Sequence, residues 1–149
     1  MARFRYRMQG ILDIKEKLEN QARQELASAQ AVLNEELMRL EALKERKAGY
    51  EAEAAGLLSG TLKLLDIEEN KTAILKMEEY ISLQEERIRI AEKQVEKARE
   101  RLQEVMQERK MHEKLREHAF EEFLEEEKKQ EGKEVDELTS YTYGPKKKV

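Results

Sequence analysis

The sequence predicts an all-α protein: two long helices joined by a short turn and folded back on each other as an antiparallel coiled-coil hairpin. Three observations carry this expectation. Ala, Glu, Lys, Leu and Arg make up about 61% of the 149 residues, beyond the roughly 50% that marks long helices and coiled coils. Only one Pro is present, and 42% of the residues are charged, against a usual share of roughly 25%. Apolar residues recur at helical spacing in two segments separated by one break. With 39% hydrophobic and 5% aromatic residues, the chain can line a seam between helices. It does not supply the thick core of a sandwich, a barrel or a doubly wound sheet.

The first helix is expected over about residues 5–57. From Leu18 the apolar row continues through Ala22, Leu26, Ala29, Leu33, Leu37 and Leu40. This is an eleven-residue repeat of about 3.67 residues per turn, which favours straight or slightly right-handed packing. Beyond Leu40 the spacing becomes heptad-like through Leu43, Lys47, Tyr50, Ala54 and Leu57.

The turn is placed at about 56–66, where Gly56 and Gly60 bracket a short non-periodic stretch. Gly56 is expected to end the first helix in a left-handed conformation. Ser59, Thr61 or Asp66 is expected to cap the second, and Asp66 and Glu69 have the spacing of a capping box. A short break between two amphipathic helices implies reversal.

The second helix is expected over about residues 67–131, ending at or soon after Gly132. Ile67, Ile74, Ile81, Ile88, Val95 and Leu102 recur every seven residues, and such a β-branched row suits the a positions of a coiled coil. The row breaks at Arg109 and resumes on a shifted register through Met111, Leu115, Ala119, Phe123 and Leu124, as at a stutter. The expected seam is Ile11, Leu18, Leu26, Leu33 and Leu40 against the Ile67–Leu102 row. Residues 1–138 then form a single hairpin roughly 75–100 Å long at about 1.5 Å per residue. Residues 139–149 read as a flexible basic tail, with Pro145 followed by Lys146, Lys147 and Lys148.

Net charge is −4, so the strongly basic footprint of a nucleic-acid binder is absent. Folding about Gly60 brings Phe4 near residues 116–120 and sets Arg3, Arg5 and Arg7 beside the acidic stretch from Glu121. Phe4 and Tyr6 then fall near Phe120 and Phe123, and charge attraction is expected to close the open end. Contact of the arginines with anionic lipid or RNA is the alternative. No Cys is present, so disulfides and thiolate metal sites are excluded. The opening MARFRYRMQG has no apolar core of a signal peptide, and no apolar run reaches the roughly 18 residues of a membrane span. A cytosolic protein with at most peripheral membrane contact is expected.

Catalytic chemistry finds little support. His112 and His118 are six residues apart, about 600° of helical rotation, so they diverge, whereas zinc-binding HExxH helices use a spacing of four. The glutamates lack the pocket that shifts a carboxyl pKa and read as solvated faces with i,i+4 pairs. No phosphate-binding or nucleophile-elbow motif occurs. The chain is expected to be non-catalytic, with no cofactor and no metal. Tyr50 and Tyr80 stand out, because a thin hairpin cannot bury an aromatic deeply and exposed aromatics often contact partners. Seam packing is the alternative.

The two ends of the chain resemble the FliJ family. The start, Phe4-Arg5-Tyr6-Arg7-Met8-Gln9-Gly10-Ile11-Leu12-Asp13-Ile14-Lys15, is similar to that family's opening. Glu19, Gln21-Ala22 and Glu25-Leu26-Ala27 also fit. Near the end Phe123, Glu125–Glu127, Glu131 and Lys133-Glu134-Val135-Asp136-Glu137-Leu138 resemble its closing pattern. The resemblance implies a cytoplasmic component of the flagellar type III export apparatus, peripherally associated with the inner face of the membrane. Its implied fold is a coiled coil similar to the γ-subunit stalk of rotary ATPases. Implied partners are the hexameric export ATPase (FliI), the cytoplasmic domain of the export-gate protein (FlhA) and flagellar export chaperones.

By the same resemblance Leu43, Tyr50, Tyr80 and Gln84 form the gate-contacting surface, with Arg46 departing from the pattern. Arg3, Phe4, Arg5, Tyr6, Arg7, Phe123, Asp136 and Glu137 form the end that enters the ATPase pore. Other readings are a holdase-like coiled-coil chaperone, a structural tether or long-helix homodimer, and the equivalent stalk of an injectisome.

Overall fold

Residues 3–143 are described in the computed structural model, and side chains for residues 3–140. Two helices account for nearly all of them: α1, Gln9–Leu57, and α2, Leu64–Tyr143. They pack against each other and no strand occurs among the described residues. No helix is long and apolar enough to cross a membrane. The hairpin expected from the two periodic segments is what forms.

The helix ends differ from the sequence expectation. Residues 3–6 are irregular rather than helical. Phe4 and Tyr6 are half-buried while Arg3, Arg5 and Arg7 are exposed, an alternation of period two that suits extended backbone. α1 starts where the Met8 carbonyl accepts from the amides of Ile11 and Leu12, at 3.0 and 3.1 Å. It runs through Gly56 to Leu57, and Gly60 is the glycine with positive φ, +90°. Without a Cβ, Gly60 takes that conformation at little cost. Ser59 donates to the Gly56 carbonyl from both its hydroxyl, at 2.8 Å, and its amide, at 3.2 Å, satisfying an acceptor that the end of α1 leaves open.

α2 begins at Leu64, one turn earlier than expected, with the Lys63 carbonyl accepting from the Ile67 amide at 3.2 Å. Asp66 therefore sits inside the first turn, where a carboxylate favours the helix dipole, rather than capping from outside. Gly132 does not end α2. A glycine inside a helix costs about 1 kcal/mol, which the surrounding Glu, Lys and Leu offset, and the helix continues to Tyr143. Thr139–Tyr143 are thus helical rather than tail. Pro145 and Lys146–Lys148 lie outside the described residues.

The chain divides into two packing units, residues 21–103 and residues 1–20 with 104–149. In the first, Ala22, Met77, Ile88, Ala91 and Val95 are buried. Two polar side chains share that seam, Asn70 and Gln84, each 8% exposed or less. The Asn70 amide donates to the Tyr50 carbonyl at 2.9 Å. The Gln84 amide donates to the Glu36 carbonyl at 2.9 Å and contacts the Glu36 carboxylate. Lys47 faces Glu78 at 3.5 Å. These pairs run in opposite senses along the two helices, as an antiparallel hairpin requires.

The Tyr50 carbonyl belongs to a helix and has its own i+4 amide, so Asn70 can be replaced without stranding a charge. Asn70→Leu is expected to change stability by no more than about 1 kcal/mol. A thermal melt should therefore move by less than about 4 °C.

In the second unit Leu12 and Val105 are buried. Ile11, expected at the seam, is 40% exposed, and its neighbour Leu12 takes the place at 3%. Arg109, where the seven-residue row breaks, faces Glu19 across the seam and Glu113 at 2.7 Å on its own helix. Glu19 is buried. Lys15 pairs with Glu108 at 2.8 Å, and Arg116 donates to the Gln9 side-chain oxygen at 3.0 Å. The break at Arg109 is thus a change from an apolar to an ion-paired seam. Glu113 first, then Glu19, holds the Arg109 guanidinium pKa above its ordinary value.

Candidate partner-binding surfaces

The first surface is the open end of the hairpin. Residues 3–8 lie along α2 as a strap held by aromatic contacts. Phe4 packs edge-on against Phe120 at 5.1 Å and tilted against Phe123 at 5.4 Å. The Arg116 guanidinium stands 5.9 Å from the Phe4 ring centroid, near the limit of cation–π attraction. A cleft of about 640 Å³ is lined here by strap residues and by Ala119, Glu122, Phe123 and Glu126. The Tyr6 hydroxyl is buried without a hydrogen-bond partner among the described residues.

The aromatic cluster expected at this end therefore forms, but the expected closure by charge does not. None of Arg3, Arg5 or Arg7 makes an ion pair among the described residues. The three arginines are exposed and border the same cleft as Glu122 and Glu126. Asp136 and Glu137 are exposed on α2, beyond the stretch that the strap covers.

The second surface lies towards the turn. Tyr50 is half-buried and lines a groove of about 390 Å³ with Glu53, Asp66, Glu69 and Asn70. Tyr80 is 48% exposed and stands outside that groove. Leu43 is half-buried. Gln84, expected beside the tyrosines as a contact, is instead 6% exposed and engaged with Glu36. Its amide is taken up within the seam, which heptad counting signalled by placing it three residues after Ile81.

The histidines lie apart from any reactive arrangement. His112 is half-buried and His118 is exposed, 3.8 Å from Glu121. Among the described residues no three His, Asp or Glu are placed to hold a metal ion. Sequence reasoning missed the ion pair of Arg109 with Glu19, although a charge entering an apolar seven-residue row was a visible signal.

Comparison with known proteins adds identity to this geometry. No curated protein sequence matches the chain. Among solved structures, the CT670 protein of Chlamydia trachomatis, described as a candidate YscO homolog, is similar. It superposes with a TM-score of 0.77 at 21% sequence identity, covering 98% of this chain and 99% of that one. At that identity the likeness concerns the fold, a long helical hairpin. The sequence model of the Flagellar FliJ protein family matches residues 4–148. That match begins at Phe4 of the strap and spans both helices, so the chain belongs to the family of flagellar FliJ proteins, components of the type III export apparatus.

Proposed function

We propose that this chain works as a non-catalytic stalk of the flagellar export apparatus in the cytoplasm, at the inner face of the membrane. Its open end binds the central pore of the hexameric export ATPase (FliI), and the partner hydrolyses the ATP. The region towards the turn, through Leu43, Tyr50 and Tyr80, contacts the cytoplasmic domain of the export gate (FlhA), with Gln84 held in the seam by Glu36. Flagellar export chaperones bind the same protein between cargo cycles.

The observation that supports this reading most is the strap. Three exposed arginines, with no ion pair among the described residues, sit on a segment whose register is held by Phe4 against Phe120 and Phe123. Exposed cations held in a fixed geometry favour an acidic partner surface, and they speed association by steering.

The test is steady-state ATP hydrolysis by the purified export ATPase with and without this protein. Stimulated turnover and hexamer formation are expected. The triple charge reversal Arg3→Glu, Arg5→Glu, Arg7→Glu should reduce the stimulation at least tenfold while the helical CD signal is kept. Stimulation that survives both this reversal and removal of residues 1–8 would refute the assignment of the open end.

A further inference from the structure

The seven-residue isoleucine row is not covered evenly. Ile88 and Val95 are buried, but Ile67, Ile74 and Ile81 of the same row are only half-buried. The cause is on α1. Beside Ile67 and Ile74 it presents Ala54 and Leu57, and the methyl group of Ala54 is too short to cover β-branched side chains.

A groove of about 330 Å³ results, lined by Ala54, Leu57, Leu58, Ile67, Ile74 and Leu75, with Lys71 at its edge. Around it Leu58, Leu62, Leu64 and Leu65 are each at least 62% exposed. Exposed leucines at this density mark an interaction surface rather than ordinary surface scatter.

The flanks of the hairpin near the turn are sorted by charge. The groove beside Tyr50 carries Glu53, Asp66 and Glu69. The apolar groove carries Lys71 alone among charged residues, and Lys71 makes no ion pair among the described residues. The two grooves adjoin, sharing Leu57 and Asn70 as a common wall, but Tyr50 and the three carboxylates line one and Lys71 lines the other.

We infer that this groove is a docking site for one amphipathic α-helix of a partner protein, presenting an apolar ridge to Ile67, Ile74 and Leu75 and a carboxylate to Lys71. Two antiparallel helices with an uncovered apolar row form two sides of a three-helix arrangement, and a helix fills the third side by ridges-into-grooves packing. The single cation at the rim selects an acidic residue on the incoming helix and fixes its register.

The chain has no Cys, so Thr61→Cys in the 149-residue chain carries one environment-sensitive dye beside the groove. The probe is an 18-residue amphipathic helical peptide of Leu, Ala and Gln with one central Glu. Saturable binding is expected. Leu75→Glu, at a position 53% exposed where the fold tolerates a charge, should weaken binding at least tenfold. Lys71→Glu should weaken it at least fivefold, and a peptide with Lys in place of its Glu should restore the loss.

Tyr50→Ala with Tyr80→Ala should leave binding unchanged. Equal affinity of the Leu75→Glu variant, or loss in the double tyrosine variant, would overturn the proposal. So would a dye signal that tracks self-association of the protein, or one produced by phosphatidylglycerol vesicles but not by the peptide.

Discussion

Replacing Arg109 by Leu is expected to cost about 3 kcal/mol and to lower the melting temperature by about 10 °C. Glu19 is 6% exposed, and Arg109 is the cation it faces across the seam. A buried carboxylate is tolerable because its lost hydration is replaced by the guanidinium. Removing that cation leaves the desolvation in place and takes away the attraction across the seam. The figure sits at the low end for broken buried pairs because the Arg109 side chain keeps 18% of its exposure.

The double variant Glu19→Leu, Arg109→Leu should recover most of the loss, since an apolar pair of similar volume has no charge to desolvate. Thermal unfolding of the three proteins followed by CD decides it. A single variant as stable as wild type would show that the pair contributes nothing. A double variant no better than the single would show that packing volume, not charge, sets the cost.

The second large effect lies in the upper unit. Ile88→Asp places a carboxylate at a position 7% exposed, between the buried Gln84 and Ala91. Lost burial of the isoleucine and an unpaired charge together should cost about 4 kcal/mol or more. Ile81→Asp is the control. It belongs to the same row but is only half-buried, so it should cost about half as much. Urea unfolding midpoints order the two variants. Equal costs would mean that the row is not a graded seam as described, and an unchanged Ile88→Asp would remove Ile88 from it altogether.

The sequence made much of this fold legible. The Ile67–Leu102 row located the seam of α2 because a seven-residue β-branched repeat keeps one face of a helix turned towards a partner helix, and the glycine pair located the reversal. Other features were hidden for physical reasons. Ile11 and Leu12 are adjacent and equally apolar, so periodicity could not choose between them, and packing chose Leu12. Phe4 and Tyr6 fit a helical and an extended register alike over so few residues, and only the contact with Phe120 selects the second. The end of α2 is hidden because Gly132 alone signals a stop, while the strong helix formers on both sides of it carry the helix through to Tyr143.

The candidate surfaces were legible only as residue types. The arginines stood out, but their freedom from ion pairs depends on which way the strap turns. Gln84 stood out beside Tyr80, but three-dimensional pairing with Glu36 removes it from the surface. The apolar groove near the turn was present in the sequence as the small Ala54 between Tyr50 and Leu57 in the row of α1. Its meaning requires knowing that the two segments face each other.

The pairs across the hairpin also set an order of assembly. Asn70 and Tyr50 are 20 residues apart in the chain, while Arg116 and Gln9 are 107 apart. Closing the longer loop first costs about 1.5 kcal/mol more in chain entropy than closing the shorter one. The hairpin therefore zips from Gly60 outward, and each pair formed shortens the loop left for the next. The aromatic clasp of Phe4 is the last closure to be made and the first to be released. The arginines are thereby favoured to come into register late, after the pairs nearer the turn have formed.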